Sequence, residues 1–133
     1  MSTTNAFASV PRLGAARITV AELSFTAPAV VVSAFVAGAN GSRIQRIDIN
    51  ALMTTTAGMV NLFWFDGTNY RLFKSVDVDA VTVAAGTPPF QVSLIFPEGI
   101  PVPSSSGGTL FDELVAASYT GDDFDVIVYG GDL

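Results

Sequence analysis

The alternation of apolar and polar positions along the chain predicts β-strands, and the clearest instance is a hairpin. Two apolar, aromatic-rich runs flank the sequence Asp-Gly-Thr-Asn at residues 66–69. Asp-Gly between such runs is a strong short-range hairpin signal, because glycine adopts positive φ at little cost. With residues 66–69 as the loop, three cross-strand pairs are predicted. They are Phe65 with Tyr70, Trp64 with Arg71, and Phe63 with Leu72.

Both faces of this predicted hairpin are apolar. One face carries Phe63, Phe65, Tyr70 and Leu72, and the other carries Val60, Leu62, Trp64, Arg71 and Phe73. An antiparallel sheet with one solvated face should alternate apolar with polar residues, and this hairpin does not. One face is therefore expected to line the core, while the other meets a second sheet or another protein. The pattern does not say which face is which.

Similar patterns predict further strands along the chain. Residues 17–25 read as an edge strand, the β-branched residues 29–37 as a central buried strand, and residues 43–53, 90–96 and 124–129 as alternating strands. Residues 97–108 hold several Pro, Gly and Ser residues and are predicted to form a loop. Residues 109–117 fit either a helix or a strand, and the β context favours a strand over residues 114–119.

The predicted fold is all-β, a single antiparallel β-sandwich of jelly-roll type with about eight strands. The sandwich is expected to span residues 17–133. Residues 1–16 lack a clean period and contain Pro11 and Gly14, so they are predicted to form an extended N-terminal arm. At 133 residues the chain is large enough for one domain with a substantial core.

Composition excludes several functional classes. The chain has 12 acidic and 6 basic residues, a formal charge of -6, which argues against binding nucleic acid. Half of the residues are hydrophobic and 14% are charged, which excludes a disordered chain. The apolar run at residues 29–39 is too short to span a bilayer, so no membrane segment is predicted.

The chain carries little material for catalysis. It contains no Cys and no His, which removes thiolate chemistry, the commonest general base and the commonest zinc ligands. Asp77 with Asp79, and the acidic cluster at residues 122–125, fit solvated strand and turn positions better than a catalytic pair or a calcium loop. No catalytic residue, metal site or cofactor is predicted. Trp64 and Tyr70 could stack on a sugar, although the predicted pairing places them on opposite faces.

Several segments resemble small virion structural proteins of tailed bacteriophages. The similarity covers roughly residues 38–75 and 113–133. The segments that carry it are Gly41-Ser42-Arg43-Ile44, Thr55-Thr56-Ala57-Gly58-Met59-Val60, Leu62-Phe63, Asp66-Gly67-Thr68-Asn69-Tyr70-Arg71-Leu72, Phe124-Asp125-Val126 and Gly130-Gly131-Asp132.

The resemblance implies a jelly-roll-like protein of the capsid decoration (cement) type, on the capsid surface of the virion. Such a protein has the major capsid protein as its partner and commonly forms a homotrimer. Alternatives are a tail or fibre component, and a carbohydrate-binding β-sandwich module. The candidate interface residues come from the arm and from one hairpin face: Phe7, Val10, Leu13, Leu62, Trp64, Arg71 and Phe73.

Overall fold

A computed structural model describes residues 10–104 and 111–133 and confirms the all-β prediction. Over these residues the chain forms eight strands and no helix. The strands are β1 Val10–Ile18, β2 Val32–Val36, β3 Ser42–Ala51, β4 Gly58–Phe65, β5 Tyr70–Val78, β6 Gln91–Val102, β7 Glu113–Ser118 and β8 Phe124–Asp132. With no helix among the described residues, none is long and apolar enough to cross a membrane.

The strands form two four-stranded antiparallel sheets that pack face to face. Sheet A has the order β1-β8-β3-β6, and sheet B has the order β2-β7-β4-β5. Four of the pairings are nested: β4 with β5, β3 with β6, β2 with β7, and β1 with β8. The chain is thus a long double ribbon, with the predicted hairpin at its tip, rolled into a sandwich. This is a jelly roll, the arrangement expected from the sequence.

The structure confirms the three predicted hairpin pairs. Phe65 lies opposite Tyr70, Trp64 opposite Arg71 and Phe63 opposite Leu72. The Asp66 carboxylate accepts hydrogen bonds from the backbone amides of Thr68 and Asn69, at 2.9 and 2.6 Å, and Gly67 has φ of 99°. A β-bulge then places Leu62 opposite Lys74, so Phe73 is the extra residue of β5.

A second bulge corrects the predicted faces of β3. The pairing shifts between Ile44 and Arg46, leaving Gln45 as the extra residue. Unbroken alternation over residues 43–53 would put Gln45 on the same face as Ile47 and Ile49, and Ile44 on the face of Arg46 and Asp48. The bulge reverses this, because it shifts the alternation by one residue, and Ile44 is buried in the core while Gln45 is exposed.

The prediction of an extended arm over residues 1–16 is wrong for residues 10–16. These residues belong to β1, which pairs with β8 from Val10 opposite Asp132 to Ile18 opposite Phe124. The strand therefore begins before residue 17, and it runs through both Pro11 and Gly14. Proline is accommodated because β1 lies at the edge of sheet A. The rest of the predicted arm, residues 1–9, lies outside the described residues.

Three other strand predictions need correction. Of the strand predicted at residues 17–25, only residues 17 and 18 are in a strand, as the end of β1, and Ala21 forms a single bridge to Ser118. The strand predicted at residues 29–37 exists as β2, but at the edge of sheet B rather than its centre. Strand β6 continues into the predicted loop as far as Val102; Pro97 and Pro101 are tolerated because β6 is also an edge strand. The ambiguous segment is strand β7 from Glu113, whereas residues 109–110 lie outside the described part of the chain.

The two sheets close tightly along the side formed by β1 and β2. Gly14 lies so close to the backbone carbonyl of Ala34 that a side chain at this position would collide with it. The Arg12 guanidinium donates to the Val36 carbonyl at 2.7 Å and lies over the Phe35 ring. The core between the sheets is apolar. Its largest fully buried side chains include Ile44, Ile47, Ile49, Leu62, Leu114 and Phe124.

Candidate functional site

The inner face of the hairpin belongs to the core, which corrects part of the predicted interface. Leu62 is completely buried between the sheets, and Phe73 and Trp64 pack against the same core, their rings 5.3 Å apart. Only Arg71 of that predicted face is exposed. Leu62 is therefore not accessible to a protein partner, whereas Trp64 and Phe73 are only partly buried and keep an accessible edge.

The outer face of the hairpin carries a second, smaller apolar cluster. Phe63 is fully buried, together with Val115 and Ala117 of the neighbouring strand β7. Tyr70 covers Phe63 edge-on, with ring centroids 6.3 Å apart, and stacks on Phe65 at 4.3 Å. Most of this second apolar face is therefore covered within the chain. Leu72, at 44% exposure, is the part that remains open.

The outer face of sheet A carries a row of four side chains, one from each strand. Register places Leu13 beside Tyr129, Tyr129 beside Arg46, and Arg46 beside Ile95. We call this row the sheet A face. Leu13 and Ile95 are 63% and 67% exposed, unusually open for large aliphatic residues on a strand. Between them, the Arg46 guanidinium lies over the Tyr129 ring at 4.8 Å from its centroid.

Asp48 holds Arg46 in place on this face. Arg46 donates through Nε and Nη2 to the two carboxylate oxygens of Asp48, at 2.8 and 2.7 Å, and the Ser93 hydroxyl donates to Oδ1 at 2.6 Å. The hydrogen bond from Arg46 is the main cause that lowers the pKa of Asp48 below its ordinary value, and the bond from Ser93 acts in the same direction. Burial of the carboxylate opposes this shift. The result is a fixed, charge-neutral pair between two exposed aliphatic side chains.

The lowered pKa of Asp48 predicts a loss of stability in acid. The folded chain binds a proton at Asp48 more weakly than the unfolded chain does, so the ionised Asp48 stabilises the fold. This contribution is complete above the ordinary aspartate pKa of about 3.9, and it is lost as the pH falls through the lower pKa of the folded chain. The difference in unfolding free energy between wild type and Asp48→Asn is therefore expected to narrow below about pH 4. Urea titrations at pH 7 and at successive acidic pH values measure it. A difference that stays constant would show that the Asp48 pairing does not stabilise the fold.

The sequence identified only part of the sheet A face. Leu13 was predicted as an interface residue, and the structure places it on an exposed face, although on a strand rather than an arm. Val10 is exposed at the start of β1, and Phe7 lies outside the described residues. Arg46, Ile95 and Tyr129 were missed, because the row joins four segments that are distant in sequence. The available signal was Ile95 on β6, which follows Gln91 and Ser93 at alternate positions and so shares their solvent-facing side.

An open apolar cavity of about 340 Å³ lies at the opposite side of the sandwich from β1 and β2. Its lining residues are Trp64, Arg71, Ile100, Pro101, Pro103 and Phe111. Trp64 faces this cavity and the core, whereas Tyr70 lies on the outer face of sheet B. The two rings cannot form one platform for a sugar, which removes that argument for carbohydrate binding.

Acidic residues are dispersed in the described part of the chain. Among residues 10–104 and 111–133, no group of three or more acidic side chains is placed to hold a metal ion. Asp122 instead accepts hydrogen bonds from Thr56, at 2.8 Å from its backbone amide, and Asp125 pairs with Arg17 at 2.8 Å. These carboxylates stabilise loops and strand edges.

Comparison with known proteins identifies no family. No protein-family model matches the chain, and no curated protein matches it either. Among solved structures, the chain is similar to one from the T13 IBDV viral particle, with 12% sequence identity and a TM-score of 0.28. The alignment covers 94% of this chain and 36% of the viral chain, so this chain spans about a third of that protein's length. A similarity of this size carries no argument about function. The chain is thus defined by its fold, an eight-stranded jelly roll with exposed apolar positions.

Proposed function

We propose that this protein is a non-enzymatic structural component of a bacteriophage virion, which decorates the capsid and stabilises it by binding across capsid subunits. The observation that supports this most is the sheet A face, where Leu13 and Ile95 are largely exposed on either side of a fixed Arg46 and Tyr129 pair. A jelly roll alone does not define a function, because the same fold serves capsid proteins, lectins and cupins.

The composition of the sheet A face suits a protein partner. Tyrosine and arginine are enriched among residues that dominate binding energy, and apolar area buried on binding contributes about 25 cal/mol per Å². Arg46 is already paired with Asp48. A partner can therefore cover this face without leaving an unpaired charge in the interface. An unpaired buried charge accounts for a large part of the cost of burying charged groups.

The partners we propose are the major capsid protein and further copies of this chain. The major capsid protein would contact the sheet A face. The chain would associate into a homotrimer around the remaining exposed part of the hairpin's outer face, at Leu72. The acidic balance of the chain, -6 overall, argues against the packaged nucleic acid as a partner. Enzymatic activity forms no part of the proposal, since the chain has neither Cys nor His.

The experiment that tests this role asks whether the protein is a virion component and how many copies are bound. We expect quantitative mass spectrometry of purified virions to find it in fixed proportion to the major capsid protein. We expect light scattering of the isolated protein to give a trimer at micromolar concentration. Absence from virions would contradict the structural role, and a stable monomer would contradict the trimer.

The second candidate role, in a tail or a fibre, has the same chemistry and differs only in location. Separating heads from tails before mass spectrometry distinguishes the two. Recovery of the protein with heads supports decoration of the capsid, and recovery with tails supports the alternative.

A further inference from the structure

The side of the sandwich formed by β5 and β6 is open, in contrast to the closed side at β1 and β2. Phe73 and Phe96 meet across this opening at a ring distance of 6.2 Å. Except for Val102, which is buried, the core-facing residues of β6 are only partly buried, although equivalent residues of β3 and β8 are fully buried. We call this opening the seam. It is lined by Trp64, Phe73, Phe96 and Ile100, and it continues into the 340 Å³ cavity.

Strand β5 borders the seam with an edge that can accept another strand. Among the described residues, β5 pairs only with β4, so one row of its backbone amides and carbonyls has no strand partner, although the Tyr70 carbonyl accepts a hydrogen bond from Arg71 Nη1 at 3.1 Å. Proteins commonly block such edges with proline, lysine or a β-bulge, and β6 has Pro97 and Pro101. Strand β5 has Lys74 and the bulge at Phe73, which disfavour pairing with a basic strand but leave an acidic one a favourable charge contact. Strand β5 contains no proline over Tyr70–Val78. An extended segment can therefore extend sheet B at β5, a common form of peptide recognition.

Charge indicates what kind of segment fits. The chain has six basic residues, and the two outside β1 and β3 are Arg71 and Lys74, both exposed on β5. Within residues 10–104 and 111–133, no carboxylate forms an ion pair with either of them, whereas Arg12, Arg17 and Arg46 are each paired. Arg43 has no ion pair either, but it is partly buried and donates to the Glu98 carbonyl at 2.9 Å. A chain of charge -6 thus presents two exposed cations without a carboxylate partner beside the seam.

The spacing of the two cations sets a pattern. Arg71 lies opposite Trp64, and Lys74 lies opposite Leu62. Trp64 and Leu62 are two residues apart on β4, so the extra residue Phe73 places Arg71 and Lys74 on the same face of the sheet, although they are three residues apart in sequence. Alternate residues of an added strand share a face. An added strand with acidic residues at two alternate positions would therefore place one carboxylate beside Arg71 and the other beside Lys74. In a strand added parallel to β5, the first acidic residue matches Arg71, and an apolar residue two positions before it lies at the Arg71 end of the seam, where the cavity is.

We propose that the seam binds an extended acidic peptide segment of a partner protein, which adds a strand to β5, places two carboxylates beside Arg71 and Lys74, and inserts an apolar side chain into the cavity. This surface is separate from the sheet A face, so the proposal holds whether or not the protein decorates a capsid. Affinity comes from backbone hydrogen bonds and apolar burial, and the two charges select acidic over basic segments.

Trp64 provides the measurement, because it lines the cavity and is the chain's only tryptophan. The probe is a capped peptide of sequence Phe-Thr-Glu-Val-Glu-Thr, and its control has lysine at both glutamate positions. We expect the acidic peptide, at low ionic strength, to shift Trp64 emission to shorter wavelength in a saturable manner. The lysine peptide is expected to bind at least about tenfold more weakly.

Charge-reversal variants test the assigned cations. Arg71→Glu combined with Lys74→Glu should weaken binding of the acidic peptide by about tenfold or more. Arg71→Glu and Lys74→Glu are also measured singly, and Arg17→Glu, at an exposed position on sheet A, is the control that has the same change in net charge as either single variant and should bind as wild type does. Far-UV circular dichroism confirms that each variant is folded.

Three results would overturn the proposal. Equal binding of both peptides, or no shift with either, would show that the seam does not select acidic segments. Binding that appears only after deletion of residues 1–9 would identify the chain's own N-terminal segment as the occupant. A Trp64 shift that depends on protein concentration alone would identify a second copy as the occupant.

Discussion

Replacing Phe63 with alanine is expected to destabilise the domain by about 3–5 kcal/mol, the usual cost of truncating a buried phenylalanine. Phe63 points to the outer face of sheet B, where solvent is normally found, yet its side chain is completely buried. Val115 and Ala117 lie beside it, and Tyr70 covers it. Truncation leaves a cavity beneath Tyr70. A domain of this size has about 5–15 kcal/mol of stability, so the loss would be a large share of the total.

Urea unfolding monitored by circular dichroism measures this effect as a fall in the midpoint concentration with an unchanged slope. Leu72→Ala is the matched control, because Leu72 lies on the same face directly opposite Phe63 but is 44% exposed. We expect it to cost about 1 kcal/mol or less in the isolated chain. Similar costs for the two variants would mean that the outer cluster is not a packed unit.

Replacing Ile95 with aspartate is expected to abolish most binding to particles from which this protein has been stripped. Ile95 is 67% exposed and adjoins Arg46 on the sheet A face, so the change should alter folding stability little. Truncating a hot-spot residue of an interface costs about 2 kcal/mol or more, which is about a 30-fold loss of affinity. Aspartate removes the apolar contact and adds a charge that has to be desolvated.

Co-sedimentation of stripped particles with wild type and with Ile95→Asp measures the loss. Val83→Asp is the control, since Val83 is an exposed aliphatic residue in the connection between β5 and β6, away from the sheet A face. It should rebind as wild type does. Equal rebinding of all three proteins would remove the sheet A face from the capsid interface and leave the hairpin's outer face as the alternative.

The sequence by itself determined the elements whose signals are local. The Asp66-Gly67 turn and its apolar flanks determine the hairpin register at three pairs, because turn chemistry and alternation act over a few residues. The same alternation identifies β3 and β8. Both hairpin faces were correctly predicted to be apolar, and the all-β class and jelly-roll arrangement agree with the structure.

Tertiary structure decided what depends on distant pairing. Strand β1 exists because β8 pairs with it across more than a hundred residues, and nothing local in its Pro- and Gly-containing sequence predicts this. The bulges at Gln45 and Phe73 shift the alternation by one residue, which moves Ile44 into the core and sets the spacing of Arg71 and Lys74. Which apolar hairpin face is buried also depends on the packing of sheet A, since a face becomes the core only when another sheet covers it.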